Sequence, residues 1–159
     1  MIKILFAGLD TQSTLPLTLA VWNQVVEKSN IIRQFEADIA VLDEENLDLP
    51  IDESVYKIAE RNNLNLNNKC KVLSFKDIEN YDFILALDSF TQAEVLNQKW
   101  KVLKPRAAIY MLRQFDHTAD SLIIPATKGP QSRRLEDVLE IIERSINNFI
   151  EVLQEQFRL

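Results

Sequence analysis

The sequence predicts an α/β protein of three layers, in which a parallel sheet of four strands lies between two layers of helices. Two observations carry this prediction. Short apolar runs alternate along the chain with segments of helical periodicity, and the runs are continuous, as in parallel strands covered on both faces. The chain has 159 residues, of which 47% are hydrophobic and 26% charged. These values suit one globular domain that spans residues 1–159.

Each predicted element has its own signal in the sequence. Apolar runs bounded by polar residues predict strands at residues 2–7, 35–42, 82–88 and 107–112. Apolar residues at helical spacing predict helices at residues 16–28, 54–61, 75–80, 89–97 and 135–157. Pro16 suits a first helical turn that Ser13 or Thr14 caps, and Ser89 is the expected cap of the fourth helix. Strands and helices that alternate in this way form right-handed parallel crossovers.

Composition argues against several classes of function. The net charge of −6 disfavours nucleic acids and anionic membranes as partners, because both require a basic face. No apolar run is long enough for insertion into a membrane. One cysteine and one histidine leave almost no ligands for a Cys/His metal site, so we expect neither a metal nor a cofactor. The lone cysteine and the absence of a signal-peptide pattern indicate the cytoplasm.

The polar loop after the first strand is the expected functional site. Gly8 ends the strand, and the polar residues 10–14 precede the first helix. In doubly wound folds, loop amides and a helix N-terminus meet a bound anion at this junction. Asp88 ends the third predicted strand beside the loop, and we expect its carboxylate to accept hydrogen bonds from the loop amides.

In order and length, these elements resemble the low-molecular-weight protein tyrosine phosphatase family, including its arsenate reductase-like branch. The resemblance is firmest where Asn-Asn-Lys-Cys-Lys at 67–71 and Phe-Lys-Asp-Ile at 75–78 lead into Tyr-Asp-Phe-Ile-Leu-Ala-Leu-Asp at 81–88. It continues through Tyr-Met-Leu at 110–112, Phe-Asp at 115–116 and Leu-Glu-Asp-Val at 135–138. The family fold is a four-stranded parallel sheet flanked by helices, which agrees with the pattern of the sequence.

The resemblance places the catalytic positions of the family on residues without its reactive groups. The nucleophilic cysteine falls at Gly8, the phosphate-binding arginine at Thr14 and the general acid at Ala126. Asn68 takes the position of a histidine that supports the loop. The other loop positions are Asp10, Thr11, Gln12 and Ser13.

These replacements have direct chemical consequences. Without a thiol at position 8, no phosphocysteine can form there. Without a guanidinium, the phosphoryl group loses its bidentate clamp, and without an acid the leaving group departs unprotonated. The carboxylate of Asp10 also repels an anion in the loop. The resemblance therefore implies a degenerate family member, and no residue is assigned a catalytic role.

We expect a catalytically inactive pseudophosphatase that is not an enzyme and acts as a regulatory or protein-binding module. Its partner is expected to be a protein, and the fold allows a symmetric homodimer. The alternative is a small-ligand-binding module that uses the former phosphate pocket. A phosphocarrier of similar topology ranks last, because such carriers need Cys or His where this chain has Gly8.

Other candidate residues have simple structural interpretations. Ser13 has no neighbouring base, His117 is expected on a solvated loop, and Cys70 is expected near the surface or packed as a small apolar residue. The sequence does not decide which of the two tryptophans, Trp22 and Trp100, belongs to the core. The candidate binding surfaces are the rim at residues 10–15 and 126–131, the acidic loop at residues 43–52, and an exposed tryptophan.

Overall fold

In the computed structural model, the described residues, 1–67 and 69–159, form a central sheet of five strands and five α-helices. The strands are β1 (Ile2–Gly8), β2 (Phe35–Val41), β3 (Cys70–Val72), β4 (Phe83–Ala86) and β5 (Ala108–Met111). The helices are α1 (Thr14–Lys28), α2 (Glu53–Arg61), α3 (Phe75–Asn80), α4 (Ser89–Lys99) and α5 (Leu135–Phe157). Short 3₁₀ turns occur at Ile32–Gln34, Glu44–Asn46 and Leu112–Phe115.

The sheet is parallel throughout, in the order β3-β2-β1-β4-β5. The predicted α/β fold with a helix-flanked parallel sheet is confirmed, but the predicted number of four strands is wrong. β3 was missed because it has only three residues, all half-buried, with Lys71 in the middle. It therefore lacks the apolar run by which a strand is recognised. Gly8 is aligned with Val41, and Ala7 with Ala86, so the C-terminal ends of β1 and β4 meet at one edge.

The helices begin and end close to their predicted positions. α1 starts at Thr14, two residues before the predicted start at Pro16. α5 has the predicted bounds. Of the six apolar residues whose helical spacing predicts it, Leu135 is half-buried, and the other five are buried: Leu139, Ile142, Ile146, Phe149 and Leu153. Within residues 1–67 and 69–159, no helix combines the length and the apolar character needed to cross a bilayer.

The two tryptophans occupy opposite environments. Trp22 on α1 is 1% exposed. Its ring centroid lies 5.7 Å from that of Phe6, 5.4 Å from that of Phe35 and 6.1 Å from that of Phe149. Trp100, which follows α4, is 84% exposed. Trp22 therefore belongs to the core and is removed from the candidate binding surfaces, whereas Trp100 remains among them.

Candidate functional site

A cavity of about 330 Å³ opens at the C-terminal ends of β1 and β4. We call this cavity the strand-end pocket. One side is the first loop, residues 9–13, between β1 and α1, and the other is residues 123–128 of the long loop that precedes α5. The pocket is lined by Gly8, Leu9, Asp10, Gln12, Ser13, Thr14, Asp52, Leu87, Asp88, Ile123, Ile124, Pro125, Ala126, Thr127 and Lys128.

The three positions assigned to the family's reactive groups lie around this one cavity. Gly8, Thr14 and Ala126 all contribute to its lining, although Ala126 lies more than a hundred residues further along the chain. A Cβ atom added at Gly8 would lie 3.5 Å from side-chain atoms of both Leu15 and Leu87, an ordinary van der Waals contact. Glycine is therefore not required at position 8 for space, and the pocket can accept a side chain there.

The first loop is held by hydrogen bonds of its own. The backbone N–H of Gln12 donates to Asp10 Oδ1 over 2.9 Å, which is an Asx turn. The Gln12 carbonyl accepts from the N–H of Asp52 over 2.9 Å. Thr11 is 5% exposed, and its hydroxyl donates to the Leu49 carbonyl over 2.7 Å. Thr11 therefore faces away from the pocket, whereas the Asp10 carboxylate accepts a hydrogen bond from one backbone amide of the first loop.

Two side-chain contacts connect the first loop and Asp52, the residue before α2, to the opposite wall. The hydroxyl oxygens of Ser13 and Thr127 are 3.1 Å apart. Lys128 Nζ donates to Asp52 Oδ1 over 2.9 Å. Ser13 occupies the N-cap position of α1, but its side chain makes no cap hydrogen bond, because the hydroxyl contacts Thr127 instead. Sequence reasoning missed the Lys128–Asp52 pair, since no local pattern relates residues so far apart in the chain.

The structure corrects the role predicted for Asp88. Its carboxylate accepts from the backbone N–H of Thr91 over 2.8 Å and from the Thr91 hydroxyl over 2.9 Å. Asp88 is thus the N-cap of α4, a role that the sequence predicts for Ser89. Both carboxylate oxygens accept hydrogen bonds from Thr91 of that helix and not from amides of the first loop. The carboxylate at the strand end therefore satisfies one of the orphan amides of the helix that begins next to it, that of Thr91. Asn68, the other residue expected to support the loop, lies outside the described residues.

The lining of the pocket is acidic. Its charged members are three carboxylates, Asp10, Asp52 and Asp88, and one ammonium group, Lys128, which is already paired with Asp52. A carboxylate ~4 Å from a bound anion costs about 4 kcal/mol at an effective dielectric constant near 20. The electrostatics therefore favour neutral or cationic groups over phosphate. Among the described residues, no group of three or more His, Cys, Asp and Glu side chains is arranged to hold a metal ion.

A buried arginine fixes the far wall of the pocket. Arg113 is 2% exposed. It donates from Nη1 to the Ile123 carbonyl over 2.9 Å and from Nη2 to Asp120 Oδ1 over 2.8 Å.

The carboxylate of Asp116, also buried, accepts from Arg144 over 3.1 Å at each oxygen. Burial by itself would raise the pKa of Asp116, but the hydrogen bonds from Arg144 and Thr118 outweigh it and lower that pKa.

The remaining candidate residues lie away from the pocket lining. Cys70 is half-buried on β3, at the edge of the sheet, where burial raises the pKa of its thiol to about 11. It is therefore protonated at neutral pH, which makes it a poor nucleophile. His117 is exposed on the long loop, as predicted.

Comparison with known proteins relates this geometry to a family. A family model described as low molecular weight phosphotyrosine protein phosphatase matches residues 3–159. No curated protein is significantly similar to the chain in sequence.

Solved structures share the fold at low sequence identity. A drosophila arginine phosphatase has a TM-score of 0.86 at 20% identity, covering 96% of this chain and 98% of that chain. A protein tyrosine phosphatase from Entamoeba histolytica has a TM-score of 0.84 at 21% identity, covering 98% and 97%. YfkJ from Bacillus subtilis has a TM-score of 0.83 at 18% identity, covering 98% and 96%.

These comparisons overturn the expectation that the protein is not an enzyme. The matching family model is that of a phosphatase, and the similar structures are those of tyrosine and arginine phosphatases. The expectation rested on Gly8, Thr14 and Ala126. Those residues argue only against phosphate hydrolysis through a covalent phosphocysteine. By themselves they do not show that the chain lies outside an enzyme family.

Proposed function

Because the chain belongs to the low molecular weight phosphotyrosine protein phosphatase family over residues 3–159, we propose that it binds a protein partner at the strand-end pocket, as a regulatory or protein-binding module. The observation that carries the proposal is the mouth of the pocket. Leu9 is 49% exposed on the first loop, and Ile123 is 39% exposed on the opposite loop. Burying the exposed part of each side chain would contribute about 1 kcal/mol to binding.

The interior of the pocket limits what a partner inserts there. Between the two apolar side chains, the lining offers hydroxyl and amide groups from Gln12, Ser13 and Thr127, together with its carboxylates. A neutral polar or basic side chain satisfies these groups, whereas an acidic one meets like charge. The proposed partner therefore presents apolar residues on either side of a polar or basic one.

Composition supports the remaining parts of this proposal. The net charge of −6 favours a protein partner over nucleic acid, and the single cysteine favours the cytoplasm. A second copy of the chain is one candidate partner. Sedimentation velocity over a range of concentrations tests it, and a constant monomer sedimentation coefficient would leave only a different protein.

A small polar molecule is the second candidate occupant. The cavity favours it because its lining combines the polar residues Gln12, Ser13, Thr14 and Thr127 with Gly8, which has no side chain to fill the space. A thermal-shift screen of neutral and cationic metabolites tests this candidate. Saturable stabilisation that Gly8→Phe abolishes would support a small ligand, and its absence would leave a protein segment as the occupant.

Site-specific photocrosslinking tests the main proposal. A photoreactive amino acid at position 123, at the mouth of the pocket, is expected to trap a discrete partner in cells that express the protein. The matched control places it at Glu155, an exposed residue in the last turn of α5, near the N-terminal edge of the sheet. The same adduct from both positions, or no adduct from position 123, would refute the proposal.

A further inference from the structure

A strongly basic turn connects α4 to β5. Residues 99–106 read Lys-Trp-Lys-Val-Leu-Lys-Pro-Arg and hold four cationic side chains and no acidic one, in a chain whose net charge is −6. We call this segment the basic turn. Since it leads into the N-terminal end of β5 in a parallel sheet, it lies at the edge opposite the strand-end pocket. The proposal made for the pocket does not explain this concentration of charge.

The basic turn also exposes large apolar side chains. Trp100 is 84% exposed and Leu103 is 98% exposed. Beside Trp100 is a hollow of about 270 Å³, which is lined by Leu96, Lys99, Trp100, Val102 and Pro105. The basic turn therefore combines positive charge with an exposed tryptophan and an apolar hollow on one surface.

Two of the four cations hold the turn in place, and two face solvent. Lys99 donates to the Ala107 carbonyl over 3.1 Å, and Arg106 donates to Asp82 Oδ1 over 2.8 Å. In the part of the chain that the structure describes, Lys101 and Lys104 form no hydrogen bond or ion pair through their side chains, and both are exposed. The turn is therefore held at both ends, while two ammonium groups are available to a partner.

We propose that the basic turn docks an acidic protein segment that carries at least one apolar side chain. The apolar side chain enters the hollow beside Trp100, and carboxylates of the segment pair with Lys101 and Lys104. Because charges are screened within ~8 Å at physiological ionic strength, the local positive charge acts on a short segment despite the negative net charge. A flat anionic bilayer would also meet the acidic remainder of the surface, and it has no side chain to fill the hollow.

Both tryptophans contribute to the fluorescence, but Trp22 is buried, so a change in emission on peptide binding reports on Trp100 at this surface. The probe is a short peptide of glutamate and serine with one central leucine. Its controls are the same peptide with the leucine replaced by serine, and with the glutamates replaced by lysine. We expect a saturable shift of Trp100 emission with the acidic apolar peptide, a dissociation constant below about 1 mM, and weaker binding at high salt.

Matched variants distinguish the effect of the lysines of the basic turn on peptide binding from the effect of the protein's net charge. Lys101→Glu with Lys104→Glu is expected to weaken peptide binding at least about tenfold. The control Lys28→Glu with Lys57→Glu changes the net charge equally on exposed positions of α1 and α2, and its affinity should stay within about twofold of that of the wild type. Circular dichroism melts of both variants establish that each is folded.

Several results would overturn the proposal. These are no saturable shift with the acidic apolar peptide, an equal response to the basic peptide, or an equal loss of affinity in the control variant. Vesicles of phosphatidylcholine and phosphatidylserine provide the last comparison. Binding to those vesicles without binding to the peptide would assign the surface to anionic lipid instead.

Discussion

At the scale of single residues, Gly8 determines what chemistry the strand-end pocket can perform. It lies at the C-terminal end of the central strand, where the backbone could present a nucleophile to the cavity, yet it has no side chain. A Cβ there meets Leu15 and Leu87 at ordinary contact distance, so the site tolerates a larger residue. A reactive side chain can therefore be introduced at position 8 without disturbing the fold.

This leads to a prediction of gained activity. The triple variant Gly8→Cys, Thr14→Arg, Ala126→Asp places a thiol, a guanidinium and an acid around one cavity. We expect it to hydrolyse an aryl phosphate at least ~100-fold faster than the wild type, because the thiol provides the nucleophile for a covalent route that the acid then assists. The control Gly8→Ala, Thr14→Arg, Ala126→Asp lacks the thiol and should show no gain. Equal rates in both variants would mean that the first loop, with its Asp10–Gln12 turn, cannot present the thiol.

The two tryptophans provide a prediction of stability at the same scale. Trp22→Ala removes a ring packed against Phe6, Phe35 and Phe149, and should lower the free energy of unfolding by about 3–5 kcal/mol. Trp100→Ala removes an exposed ring and should change it by less than about 0.5 kcal/mol. Urea denaturation of both variants measures the difference, and similar losses would contradict the placement of Trp22 in the core.

At the scale of elements, sequence periodicity predicted the long segments and missed the short one. The six-residue apolar stripe of α5 and the apolar run of β1 are strong signals, because burial favours apolar residues along those faces. β3 has three half-buried residues and follows an Asn-rich stretch, so neither periodicity nor propensity identifies it. The cap of α4 was assigned to Ser89 instead of Asp88, because both residue types favour that position.

The candidate site was predictable only in part, for a related reason. The junction of β1 and α1 follows from the strand–loop–helix pattern, and the pocket is found there. The Lys128–Asp52 pair and the buried Arg113 join residues distant in the chain, and local patterns do not show which long-range partners a charged residue will meet.

The long loop before α5 gives a pH-dependent prediction. The pKa of Asp116 is lowered in the folded protein, so its ionised form stabilises the fold. That contribution is fully present above the ordinary pKa of about 3.9 and is lost as the pH falls through the lower, folded-state value. Asp116→Asn should therefore cost about 2 kcal/mol at pH 7, because the amide lacks the negative charge that pairs with Arg144, and it should cost less as the pH falls below about 3.9.

Asp137→Asn is the matched control for this experiment. Asp137 is exposed in the first turn of α5, and within residues 1–67 and 69–159 its side chain makes only a long ionic contact, with Arg134. Its replacement should therefore cost less than about 0.5 kcal/mol. Denaturant melts of both variants at pH 7 and pH 3 provide the comparison. A loss in Asp116→Asn that is equal at the two pH values would show that the carboxylate does not act through its charge.

At the scale of the whole molecule, the two proposed surfaces lie at opposite edges of one sheet. The strand-end pocket is acidic inside with an apolar mouth, and the basic turn is cationic around an apolar hollow. Their opposite charges mean that one segment cannot satisfy both. The two proposals together therefore predict two different partners, one at each edge of the sheet.

Quantitative affinity capture from the protein's own cells tests the central claim, that a partner binds at the strand-end pocket. Leu9→Glu with Ile123→Glu changes the mouth of the pocket, and Val152→Glu with Leu159→Glu changes residues on and just beyond α5 that are similarly exposed. The basic turn is intact in both variants. We predict a stoichiometric partner that the first pair loses and the second pair retains. If no stoichiometric partner is lost by the first pair alone, the claim is contradicted, because a partner that both variants retain binds elsewhere, as proposed for the basic turn.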